Sequence, residues 1–157
     1  MRLRRKPLGR DFARRWPRRV ESPEGEPRGA RVLIEEPDGA EAFAYWSLLT
    51  DNGYEVEWCP GPGRPSEGPC PLVSSRHCDL VERADVVVSS LGIDHEPCRD
   101  VLGAIRRLHP ETPVIVQATQ REFTRWGDLF EGNSALRTPV TGRALLDSVQ
   151  AVLADRQ

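Results

Sequence analysis

Lysine is almost missing from this sequence. Lys6 is the only one, and the other 21 basic residues are arginine, a bias that a GC-rich genome explains plainly. No apolar run approaches the roughly 18–20 residues that span a bilayer, which excludes an ordinary transmembrane helix. Nor does an apolar segment of about 7–15 residues follow the basic N-terminus, whose charges run on through Arg19, so a secretory signal peptide is excluded as well. The chain is therefore expected in the cytoplasm, where its four cysteines should be thiols or ligands rather than disulfides. None of them shows the two-residue spacing of well-known zinc fingers and ferredoxins.

What is present is unevenly distributed. The net charge of −2 hides an arm of +8 over residues 1–20 and a body of −10 over residues 21–157. A basic arm on an acidic body suits an anionic partner: nucleic acid, a lipid surface, or the acidic body itself. Arg4, Arg5, Arg14, Arg15, Arg18 and Arg19, interleaved with Phe12 and Trp16, are the candidate phosphate contacts if nucleic acid is that partner. Pro7, Pro17, Pro23 and Pro27 interrupt any helix here, so residues 1–30 are expected to be a disordered arm and linker.

From Arg31 onward apolar runs alternate with amphipathic segments. Val32–Ile34, Asp85–Ser90 and Pro113–Ala118 are short and continuously apolar or nearly so, the pattern of strands buried on both faces. Tyr54–Trp58 alternates as a strand should, and Ala135–Arg137 supplies a short fifth. Helices are expected over Glu41–Asn52 with Phe43, Trp46 and Leu49 on one stripe, Cys78–Arg83, Glu96–His109, Gln120–Phe130 and Thr141–Ala154. Strands and helices in alternation predict an α/β domain over 31–157. Its expected form is a flavodoxin-like three-layer sandwich, with a five-stranded parallel sheet of order 2-1-3-4-5 and helices on both faces. The segment 59–77, rich in cysteine, proline and glycine, reads as an irregular loop. Since the last helix ends three residues before the C-terminus, no appended output domain is expected.

Several residues mark the C-terminal strand ends: Glu35-Glu36 after strand 1, Ser90-Leu-Gly-Ile-Asp94 after strand 3, and Thr138-Pro139 after strand 5. With the run His109-Pro-Glu-Thr-Pro-Val-Ile-Val116 leading into strand 4, they resemble bacterial response-regulator receiver domains over about residues 31–155. The resemblance implies a Mg²⁺-holding carboxylate pair at Glu35 and Glu36, a phosphoacceptor position at Ser90, a hydroxyl position at Ala118 (Thr119 is next to it) and a lysine position at Thr138. Mg²⁺ wants oxygen ligands and neutralises phosphoryl charge. Here the acceptor is a serine, which cannot form an acyl phosphate, and no lysine follows residue 6. The expected molecule is a degenerate receiver-like module that binds a protein partner without aspartyl phosphorylation. A simpler reading of Glu35 and Glu36 is a solvated pair, and adjacent strand residues point to opposite faces, so only one would naturally face a site.

A metal- or redox-responsive regulator is the alternative. Cys59, Cys70 and Cys78, with His77 beside the last, are candidate ligands for zinc or an iron–sulfur cluster; unliganded thiols are the plainer reading, and no cofactor is otherwise expected. An enzyme is not expected. Pro37-Asp-Gly39 stands where a glycine-rich nucleotide fingerprint would follow strand 1, and the nearest catalytic set is Ser89, Ser90, His95 and Glu35.

Overall fold

The computed structural model describes residues 29–63 and 69–156; the expected basic arm lies outside the described residues. Five strands form one parallel sheet of order β2-β1-β3-β4-β5: β1 (Arg31–Glu35), β2 (Glu55–Cys59), β3 (Val86–Ser89), β4 (Val114–Ala118) and β5 (Ser134–Arg137). Between and after them come α1 (Gly39–Asp51), α2 (Pro71–Ser74), α3 (Asp79–Arg83), α4 (Glu96–Leu108), α5 (Gln120–Arg125) and α6 (Gly142–Ala154). This is the doubly wound arrangement that the alternating pattern predicts.

Side chains in a strand alternate faces, so each central strand feeds two cores. Leu33, Val87, Val114 and Val116 pack on one side with Leu72 of α2, Val81 of α3 and Val101, Leu102 and Ile105 of α4. Val32, Ile34, Val86, Val88 and Ile115 pack on the other with Tyr45 and Leu49 of α1 and Leu145 and Val149 of α6. The helix starts are set by local chemistry. The Asp38 carboxylate accepts from the Ala40 and Glu41 amides at 2.9 and 3.1 Å, and Thr119 with Glu122 closes a reciprocal capping box on α5.

Three expectations need correction. In α1 the buried residues are Ala42, Tyr45 and Leu49; Phe43, one position round the helix, is 46% exposed. Tyr45 can face the sheet because its hydroxyl finds partners there. Within 59–77, Pro71–Ser74 is a one-turn helix rather than loop: Pro71 presets the first helical φ and Leu72, 1% exposed, anchors the turn in the core. The helix from Gln120 ends at Arg125, and a 3-10 turn follows over Gly127–Phe130, since glycine at 127 weakens helix continuation.

Ile105 is fully buried between α4 and the sheet. Ile105→Ala is expected to cost about 2–5 kcal/mol through lost transfer energy and a residual cavity, read as a lower urea midpoint with unchanged far-UV dichroism.

Candidate functional site

At the C-terminal end of the sheet, the ladder continues one residue beyond each strand. The Glu36 amide donates to Cys59 O at 3.0 Å, the Ser90 amide to Glu35 O at 2.8 Å and the Thr138 amide to Ala118 O at 2.9 Å. These bonds bring Glu36, Ser90, Ala118, Thr119 and Thr138 around one pocket of about 250 Å³, together with Glu41, Gln117 and Glu122. Thr138 is joined to Pro139 by a cis peptide bond.

Glu35 is not in that pocket, which corrects its placement there. It is paired in register with Cys59 on one side and Ser89 on the other, and register partners in parallel strands share a face. Its carboxyl therefore points with Leu33 and Val87 into the core under α4. Neither acid is solvated: Glu35 is 3% and Glu36 4% exposed. Burial alone pushes Glu35 up to about 7, with the Ser89 hydroxyl pulling the other way, and one carboxyl oxygen has no partner.

Glu36 faces the pocket. Desolvation raises it to about 7; the Asp38 amide, donating at 2.8 Å, opposes this, and the neighbouring Glu41 and Asp38 charges reinforce it. Ser90 Oγ lies near enough to the Glu36 carboxyl to lower that value somewhat, yet it makes no hydrogen bond of good geometry and is buried. On the α1 side Tyr45 Oη sits 2.6 Å from Glu41 Oε1 and 3.0 Å from Gln117 Oε1. The loop after β3 is held from its far side. Ile93 is buried, and the Arg99 guanidinium donates to the Ile93 and Asp94 carbonyls while lying 4.0 Å over the Trp126 ring. Trp126 Nε1 in turn donates to Asp94 at 2.8 Å.

Sequence reasoning missed Glu41, Gln117, Tyr45 and Glu122. The signal for Glu41 was an acid in the first turn of a helix following the first strand; Gln117 was a lone polar residue in an apolar strand. His95 of the conjectured catalytic set is exposed at the N-cap of α4, and Ser90 Oγ has no hydrogen bond to it.

Cys59, Cys70 and Cys78 all pack against the core beneath α4, as does buried Cys98, and all four are free thiols. Among the described residues they do not gather three ligand atoms within 4.8 Å of one another; His77, Asp79 and Glu82 do, fully on the surface. His77 therefore departs from the cysteine set: its Nδ1 lies 2.6 Å from Glu82 and its Nε2 2.9 Å from Asp79. Burial, with the nearby Glu35 charge adding to it, pushes the Cys59 thiol up to about 12.

Two measurements follow from these environments. For Glu35 the folded value lies above the ordinary one, so its neutral form stabilises the fold. That contribution is complete below about pH 4.5 and is lost as pH rises through about 7, roughly 3 kcal/mol in all. Glu35→Gln is expected to remove this part of the pH dependence, and urea midpoints for the two proteins should diverge progressively from about pH 4.5 to about 7; parallel curves would contradict the burial. For Cys59, a rise from 9.0 to about 12 leaves about a thousandfold less thiolate at neutral pH, so iodoacetamide should alkylate it far faster in urea than in the folded chain.

No family model matches this sequence, and no curated protein matches it. Solved structures do. The chain is similar to a response-regulator receiver-domain protein from Clostridium thermocellum, with 21% identity and a TM-score of 0.62 over 81% of this chain and 96% of that one. A receiver-domain protein from Methanospirillum hungatei shows 18% identity and a TM-score of 0.61 over 82% and 96%. A pilus assembly-related protein from Burkholderia pseudomallei shows 20% identity and a TM-score of 0.60 over 80% and 90%. At these identities the likeness is one of fold: this chain has a receiver-like, flavodoxin-type domain.

Proposed function

We propose that the chain is a receiver-like signalling module that acts by binding a protein partner and does not undergo aspartyl phosphorylation. The observation that carries the reading is Ser90. The hydrogen bond from its amide to Glu35 O sets it at the end of β3, where the receiver resemblance puts the phosphoacceptor, and its buried hydroxyl offers no carboxylate for an acyl phosphate. The surrounding pocket supports it. Of the two acids that the receiver resemblance would set on Mg²⁺, only Glu36 lines the pocket, because adjacent strand residues face opposite sides of the sheet, so the paired carboxylates of that pattern do not converge. Among the described residues, no lysine or arginine lines the pocket to balance a phosphoryl group. A receiver scaffold without phosphotransfer chemistry retains its surfaces, and a fold can serve recognition alone.

Incubating the full chain with acetyl phosphate and Mg²⁺ tests this. Intact-mass analysis is expected to show the unmodified chain. A phosphoryl adduct that hydroxylamine removes would overturn the proposal.

A further inference from the structure

Among the described residues, the pocket lining carries carboxylates, hydroxyls and one amide side chain but no cation. Among the described residues, ion pairs engage Glu55, Glu57, Asp79, Glu82, Asp85, Asp94 and Asp147, but none engages Glu36, Glu41 or Glu122. Glu122 is satisfied by the amide and hydroxyl of Thr119, at 2.8 and 3.0 Å. Glu36 and Glu41 are left facing one another's charge.

Gln117 adds an independent observation. It is 3% exposed, lines the pocket and has an amide nitrogen without a partner. Tyr45 has one hydroxyl proton, and the shorter contact, 2.6 Å, commits it to the Glu41 carboxylate. The contact of 3.0 Å to Gln117 is then favourable only with the amide turned, so that its nitrogen donates to Tyr45 Oη. What remains unpartnered at Gln117 is a carbonyl oxygen. Glu36, Glu41, the Gln117 carbonyl and Ser90 Oγ together ask for a ligand rich in donors and positively charged. A guanidinium fits, since it is always charged, presents five N–H donors in a planar fork and has no acceptor.

We propose that this pocket receives an arginine side chain from the chain's own N-terminal arm, drawn from Arg14, Arg15, Arg18 and Arg19. Charge favours it, because the arm carries +8 and residues 21–157 carry −10. Length permits it. β1 has five residues and rises about 17 Å from its start to the pocket end, whereas the ten residues from Arg19 to Gly29 extend to about 33 Å. The inference stands apart from the phosphorylation reading, since phosphate incorporation and arm occupancy are separately observed.

The test uses the full chain throughout. Replacing Arg14, Arg15, Arg18 and Arg19 together by Gln is expected to shift the ¹H–¹⁵N amide signals of Ser90, Gly92, Gln117 and Thr119. Salt at about 1 M, where the Debye length is about 3 Å, should shift the same signals in the natural chain and leave the variant's in place. In an Arg18→Lys or Arg19→Lys chain, a zero-length carbodiimide should join the new amine to Glu36 or Glu41. Pocket signals identical in the two chains, or cross-links confined to Glu55 and Glu57, would overturn the proposal. Mg²⁺ moving the pocket signals equally in both chains would overturn it in favour of a metal pocket. Free arginine amide moving them only by trans addition, with no arm dependence, would mean that the guanidinium comes from a partner and that the arm is the wrong source.

Discussion

A parallel sheet covered on both faces forces neighbouring residues of each strand into different cores, and that constraint decides the chemistry at the end of β1. Leu33 and Ile34 obey it as core residues on opposite sides. Glu35 and Glu36 obey it as acids. The first is carried under α4 beside Cys59 and Ser89, its register partners, and the second opens on the strand-end pocket. Two carboxylates adjacent in sequence are thus separated by the sheet itself, and only Glu36 lines the pocket.

The two acids meet different consequences of burial. For Glu35, burial favours the neutral acid and the Ser89 hydroxyl favours the charged one, with burial the larger effect. Glu36 lines the strand-end pocket with Glu41 and Gln117, where the Glu41 and Asp38 charges add to the effect of burial and no ion pair among the described residues engages Glu36 or Glu41. Thr138 lines the pocket, and its amide donates to the Ala118 carbonyl. Among the described residues the pocket lining holds no cation beside Glu36 and Glu41, and the proposed recognition of an arginine side chain rests on that imbalance.

Much of the fold was legible in the sequence because its signals are local. Continuous apolar runs at Val32–Ile34 and Val86–Val88 mark buried strands, Pro110 and Gly53 mark helix ends, and strand–helix alternation implies a parallel sheet. The site was legible where the chain backbone itself places residues, at Glu36, Ser90, Ala118, Thr119 and Thr138. Glu41 and Gln117 lie far apart in sequence and meet through Tyr45, which depends on how α1 crosses the sheet. The α1 stripe was misjudged for a related reason: Tyr45 is buried because of a hydroxyl partner 72 residues away, which periodicity does not register. The separation of Glu35 from Glu36 was contained in strand alternation, but their depth was not, since it depends on helices that close over the strand ends.

The division of the acid pair is most directly tested by a ¹³C-carboxyl titration of Glu35, with and without Mg²⁺. The account predicts a midpoint near the value of about 7 that burial imposes, indifferent to Mg²⁺. A midpoint near the ordinary 4.5, or one that Mg²⁺ draws downward, would show that Glu35 reaches the pocket and that the two acids work together.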